Sequence, residues 1–128
     1  MQNGTLSKKT VEEIISIYAD AWISQDANKI ISIFTPDGIY HEYAFKKPFV
    51  GHAEIRKYWE DKITNEESDI HFKLLNVYID DNVATAEWEA DFAIGKKRER
   101  FHIREVAILE IIDKRIKSLR EYWHSEKL

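Results

Sequence analysis

The feature that most constrains the fold lies in the second half of the chain. Apolar and polar residues alternate there through four long stretches, 70–80, 83–94, 97–111 and 115–124. Only Asp80-Asp81-Asn82, Gly95-Lys96 and Asp113-Lys114 interrupt them. Period-two patterning with breaks this short leaves each strand no option but to turn back on its predecessor, so an antiparallel meander is expected. Gly95-Lys96 suits a two-residue type II′ turn, with Gly at its first position. That register sets Asp91 opposite Arg100, Glu89 opposite His102 and Glu87 opposite Arg104, and cross-strand pairs of opposite sign stabilise a ladder by ~0.2–1 kcal/mol each. The opposite face then carries Trp88, Ala90, Phe92, Phe101, Ile103 and Ala107, an apolar wall. Glu99 and Glu105 fall on that wall too, Glu99 near the turn and Glu105 across from Ala86. In the final strand Leu119 and Trp123 share one face, and Arg120 and Tyr122 the other.

The first half reads as helices. A helix opens near Ser7 or Thr10, where Thr10 and Glu13 fit a capping box. Val11, Ile14, Ile15, Tyr18, Trp22 and Ile23 form its buried stripe, and it ends between Ser24 and Asp26. A second helix is expected over 27–34. Pro36-Asp37-Gly38 then marks a turn, and 38–43 alternates as a strand with Tyr40 and Glu42 on one face. The segment 44–51 reads as a loop closed by Gly51, 52–63 as a third helix with Ile55, Trp59 and Ile63 on one side, and 64–69 as a polar linker. Helices first and a meander afterwards define an α+β chain, with the helices on one face of the sheet. A strongly twisted sheet curling over them leaves a cone-shaped cavity.

Composition narrows the partners. The chain has 128 residues, expected as one domain over 1–128, and a formal net charge of −4. That charge speaks against nucleic acid as a partner, because nucleic-acid binding needs a basic field. Absence of Cys excludes disulfides, thiolate metal sites and cysteine nucleophiles. The five His show no metal-ligand spacing. No apolar run reaches the ~18 residues of a membrane span, so a cytoplasmic protein without membrane contact is the default expectation. No cofactor motif stands out.

Glu42 is the puzzle, a carboxylate on the inward face of a strand. It is a general base, or the partner of a Lys or Arg at a pocket mouth, or a group reaching solvent. Glu105 has the same choice between chemistry and a buried ion pair, for example with Arg120. Tyr18 is a hydroxyl donor to a substrate oxygen or a core tyrosine. Trp22, Tyr40, Trp59, Trp88, Phe92, Phe101 and Trp123 are expected to wall the cavity, which would suit a flat or apolar small molecule. Thr85, Val106, Ile108 and Leu119 make an apolar strip on the outer sheet face, of the kind that marks an interface.

Tyr18 and Trp22, the stretch IISIFTPDGIYHEY, then PFVGHAEIRKYW and finally IKSLREYW carry a resemblance across nearly the whole chain. It resembles the nuclear-transport-factor-2-like superfamily, in its SnoaL-like and ketosteroid-isomerase-like branch. The resemblance implies a cone-shaped fold of three helices on a curved, mostly antiparallel sheet. It also implies a homodimer through the outer face. At the positions where such isomerases carry their general base and their oxyanion-stabilising Tyr, this chain has Glu42 and Tyr18. Those enzymes hold a second, protonated acid on a late strand. In HIREVAILEI that place is Ala107, with Glu105 two residues earlier on the same face. The expected function is a cofactor-free isomerase, cyclase or dehydratase on an apolar or aromatic substrate. The alternatives are a non-catalytic binder of an apolar ligand and a dimeric protein-interaction module.

Overall fold

The computed structural model describes residues 6–128. Helix α1 (Lys8–Ile23) and the short α2 (Ala27–Ser32) lead into β1 (Phe34–His41) and the two-residue β2 (Phe49–Val50). Helix α3 (Gly51–Tyr58) continues as a π-helical turn over Trp59–Thr64. Four long strands follow: β3 (Glu67–Asp80), β4 (Val83–Ile94), β5 (Glu99–Ile112) and β6 (Arg115–Lys127). The sheet order is β2-β1-β6-β5-β4-β3. Every pairing is antiparallel except β1 with β6. The architecture is α+β, three helices on a six-stranded open sheet, as the alternation and the resemblance implied.

Local chemistry explains the departures from the expected boundaries. Ser7 caps α1: its Oγ accepts from the Thr10 backbone N–H at 3.1 Å, so the expected box at Thr10 lies one turn too late. Helix α2 is shorter than expected, because Phe34 already pairs with Ile116 of β6. Pro36-Asp37-Gly38 is a bulge inside β1, where the register jumps between Phe34 and Ile39, and not a turn ahead of the strand. A side chain at Gly38 would meet Phe34 Cδ1 at 2.9 Å and the Thr35 carbonyl at 3.0 Å, so the bulge closes only around glycine. The expected linker at 64–69 already belongs to β3 from Glu67 onward.

The β4–β5 hairpin turns through four residues rather than two. Gly95 and Arg98 both have positive φ, and the Arg98 N–H donates to the Gly95 carbonyl at 3.1 Å. Asp91 therefore stands opposite His102, Glu89 opposite Arg104, and Glu105 opposite Trp88 instead of Ala86. The shift is two residues, which leaves every side chain on its expected face. The ion pairs also survive it as diagonals: Arg100 reaches Asp91, and Arg104 reaches Glu87 at 3.6 Å as well as Glu89 at 3.2 Å. Opposite charges thus fit both registers, and their complementarity did not distinguish them.

The core lies between α1, α3 and the concave face of the sheet. Tyr18 packs on Trp88 and Phe72, with ring centroids 5.1 Å and 6.3 Å away, and Trp22 packs on Phe92 at 5.5 Å. Leu119 is fully buried in this core, which removes it from the outer strip expected with Thr85, Val106 and Ile108. Leu119→Ala is accordingly expected to cost about 2–5 kcal/mol in urea unfolding. A cost well under ~1 kcal/mol, typical of surface positions, would put Leu119 back on the outer face.

Candidate active site

One cavity of about 190 Å³ opens between the helices and the sheet. Three kinds of local structure aim side chains into it. One helical turn brings Tyr18 and Trp22 to the same side of α1. The bulge in β1 turns Tyr40 inward, with Glu42 and Tyr43 just past the strand end. The π-helical turn carries Trp59 and Ile63 inward and places Lys62 at the rim; such turns recur at functional sites. Strand alternation does the rest, delivering Phe92 from β4, Phe101, Ile103 and Glu105 from β5, and Glu121 and Trp123 from β6.

Of the expected residues, Glu42, Tyr18, Glu105, Trp22, Tyr40, Trp59, Phe92, Phe101 and Trp123 all line this cavity. Trp88 does not. It is fully buried behind Tyr18, and its indole N–H has no hydrogen-bond partner. Tyr43 lines the cavity although alternation put it on the opposite face, because β1 ends at His41 and the chain turns there. Its ring packs on Trp123 at 5.5 Å.

The site holds two further carboxyl groups, Glu67 and Glu121. Glu121 had a signal in the sequence, since it lies between Leu119 and Trp123 at strand spacing. Glu67 had none, because it sits in the run TNEESD, which reads as solvated loop.

The deepest pair is Glu105 and Glu121, only 2% and 7% exposed. Glu105 stands opposite Trp123 and Glu121 opposite Ala107, so the two acids are diagonal neighbours on adjacent strands. Ala107 is the late-strand position where the resemblance calls for an acid. The carboxyl there comes from the facing strand instead. Arg120, weighed as a partner for Glu105, pairs with Ile108 on the other face.

Burial raises the Glu105 carboxyl well above the ordinary glutamate value, and the charge of the neighbouring Glu121 raises it further. Burial raises Glu121 as well, and the nearby Glu105 and Tyr40 pull it back. The two carboxyls therefore titrate as one pair, with a proton affinity raised by their burial and proximity. Glu105 Oε2 and Glu121 Oε1 are buried without any partner.

Tyrosines extend this pair. The Tyr18 and Tyr40 hydroxyls are 2.9 Å apart. Burial first, and the charge of Glu121 next, raise both well above the usual phenol value. Both are therefore neutral hydrogen-bond donors over the whole physiological range.

At the rim, the Lys62 ammonium donates to Glu42 at 2.7 Å and to the Tyr43 hydroxyl at 3.3 Å. Burial lowers the Lys62 value, but these partners outweigh it and leave the ammonium above the ordinary lysine value. Glu42 is thus the ion-paired carboxylate of the second alternative. Glu67 accepts a hydrogen bond from the Trp22 indole at 2.7 Å. Burial pushes it up to about 7, against the opposing pull of that bond and of Lys62. Among the described residues no three His, Cys, Asp or Glu side chains are arranged to hold a metal ion, and no helix is long and apolar enough to cross a membrane.

Solved structures share this architecture. One is a protein of ketosteroid isomerase-like fold from Catenulispora acidiphila, in complex with trimethylamine. It is 21% identical, with a TM-score of 0.77 over 86% of this chain and 84% of its own. The epoxide hydrolase/cyclase-like enzyme SalBIII, which has a role in pyran ring formation in the polyether salinomycin, is 18% identical. Its TM-score is 0.80 over 95% of this chain and 98% of its own. An LEH-like epoxide hydrolase of M. tuberculosis is 16% identical, with a TM-score of 0.74 over 91% and 84%. Likeness at these identities is likeness of fold. No curated protein matches the sequence. The SnoaL-like domain matches residues 15–119, from the middle of α1 through β5 into the first part of β6, and the chain belongs to the SnoaL-like family.

Proposed function

We propose that this protein is an acid–base enzyme that needs no cofactor. It takes a small, largely apolar molecule bearing a carbonyl, ether or epoxide oxygen into the cavity and isomerises, cyclises or dehydrates it. One observation carries the reading: two buried carboxyl groups on neighbouring strands face a cavity beside a pair of buried tyrosine hydroxyls 2.9 Å apart. Enzymes separate the roles of acid and base by pushing the proton affinities of neighbouring groups apart, and Glu105 and Glu121 are placed to do so. Glu105 donates to the substrate oxygen as charge develops there, and Tyr18, held by Tyr40, adds a second hydrogen bond to it. Glu121 accepts the proton leaving carbon or a hydroxyl group. Glu42 would have to leave Lys62 before meeting a substrate, so the rim ion pair is assigned to orienting the ligand. A cavity of about 190 Å³ is below the roughly 300–1,000 Å³ of drug-sized pockets, which favours a compact substrate. The outer face, where Val106 and Ile108 are half-buried and Tyr122 is exposed, supports the expected homodimer.

Incubation in deuterated water with a panel of small cyclic ketones, hydroxy ketones and epoxy alcohols tests the proposal by mass spectrometry. Protein-dependent exchange or rearrangement of a panel member is expected. It should fall by about 10²–10⁴-fold in the Glu105→Gln/Glu121→Gln double variant. Turnover that survives the double substitution would sink the assignment.

A further inference from the structure

The cavity holds more acid than the proposed reaction uses. Glu42, Glu67, Glu105 and Glu121 line it, against one cation among the described residues, Lys62, and Lys62 is committed to Glu42 at 2.7 Å. One proton on Glu105 still leaves Glu121 and Glu67 facing the same enclosed space. A buried carboxylate without a countercharge costs several kcal/mol, so the arrangement is unfavourable as it stands. Either protons neutralise the acids or a ligand brings the missing positive charge.

Two features favour a ligand. Glu105 Oε2 and Glu121 Oε1 are buried acceptors with no partner among the described residues. And the surroundings of Glu67 are aromatic: Trp22 donates to it at 2.7 Å, and Phe92 packs against Trp22 at 5.5 Å. Ring faces attract cations and are indifferent to neutral groups, by ~0.5–2 kcal/mol. We infer that the cavity selects a small organic ammonium compound, its charged nitrogen against Glu67 and the rings of Trp22 and Phe92, and its apolar body in the remaining space.

This inference rests on the proposed function only in taking the same cavity as the ligand site. It names the substrate class, an amine that also carries the reacting oxygen. Ammonium near Glu67 leaves the Glu105 proton free for that oxygen. The charges acting on Glu67 are Lys62, which lowers its value, and Glu42 and Glu121, which raise it; Tyr18 from α1, Tyr40 from β1, Tyr43 after it and Tyr58 from α3 line the same cavity. Glu105 from β5 and Glu121 from β6 line it too. Glu67 is held near about 7 by burial, so cation binding at neutral pH should expel its proton.

Isothermal titration of benzylammonium, benzyl alcohol and benzoate, in two buffers of different ionisation enthalpy, tests this. Benzylammonium is expected to bind at least about tenfold more tightly than benzyl alcohol, with net proton release, and benzoate more weakly than either. Glu67→Gln keeps an acceptor for Trp22 but no charge, and should bring amine and alcohol to near parity. Benzyl alcohol binding as well as benzylammonium would overturn the inference. So would amine preference that persists in Glu67→Gln, or no benzylammonium binding up to ~10 mM. The acid–base reading fails differently, as amine binding without any turnover dependent on Glu105 and Glu121.

Discussion

Glu105→Gln is expected to make the protein more stable while stopping its chemistry. In the folded state Glu105 is buried beside Glu121 and its proton affinity is raised. In the unfolded chain it is an ordinary carboxyl, ionised at neutral pH. Folding at neutral pH must therefore take up a proton, which opposes folding. An amide has the same shape, needs no proton and can still donate to Glu121. Replacing such a buried ionisable group with a neutral one of similar volume can stabilise by about 1–4 kcal/mol. The gain should show in calorimetry near neutral pH and shrink toward pH ~4.5, where the unfolded carboxyl is itself half protonated. Turnover of any substrate found should drop by about 10²–10⁴-fold, because an amide has no transferable acidic proton. Such an exchange of stability for activity is typical of functional groups placed against folding preferences. A variant that melts lower than wild type would show instead that the Glu105 carboxyl supports the fold.

The second large effect concerns pH. Glu67 stands at about 7 in the folded protein against the 4.5 of an ordinary glutamate. A carboxyl with a raised folded value binds more protons folded than unfolded in that interval. Stability is therefore complete below ~4.5, falls as pH rises through about 7, and levels off above it, by the proton-linkage relation. A shift of this size corresponds to about 3 kcal/mol. For a chain of this length that is a melting temperature lower by roughly 10 °C. Glu105 and Glu121 add to the loss in the same direction, since both are also raised. Melting scans between pH ~5 and ~8 should thus show stability declining toward neutral pH, the reverse of a protein whose carboxylates are all ion-paired. Glu67→Gln should flatten the lower part of that slope while keeping the Trp22 hydrogen bond through its amide oxygen. Stability rising from pH ~5 to ~8 in wild type would mean that Glu67 is paired in solution.

Both effects depend on groups that were unequally legible. Glu105 was readable as an inward acid because strand alternation depends only on parity. The real hairpin register differs by two residues from the expected one, and parity is unchanged by that shift. Tyr18, Trp22 and Trp59 were readable through helical spacing. Tyr43 falls on the wrong face in the alternation because that pattern runs two residues beyond the end of β1. Trp88 shares the inward face expected of it but does not wall the cavity, because Tyr18 stands between them. Glu67 looked like solvated linker because it is the first residue of its strand, where no alternation precedes it.

The sequence by itself determined the α+β order, the strands' inward and outward faces and the aromatic character of the interior. Each follows from local periodicity, which a single segment carries alone. It did not determine which acids meet. Glu105 and Glu121 are neighbours only because the β5–β6 register sets Ala107 opposite Glu121. Glu42 is ion-paired only because the π-helical turn brings Lys62 across to it. Proton affinities depend on burial and on distances between groups remote in the chain, so the chemistry of this site was decided by the tertiary structure.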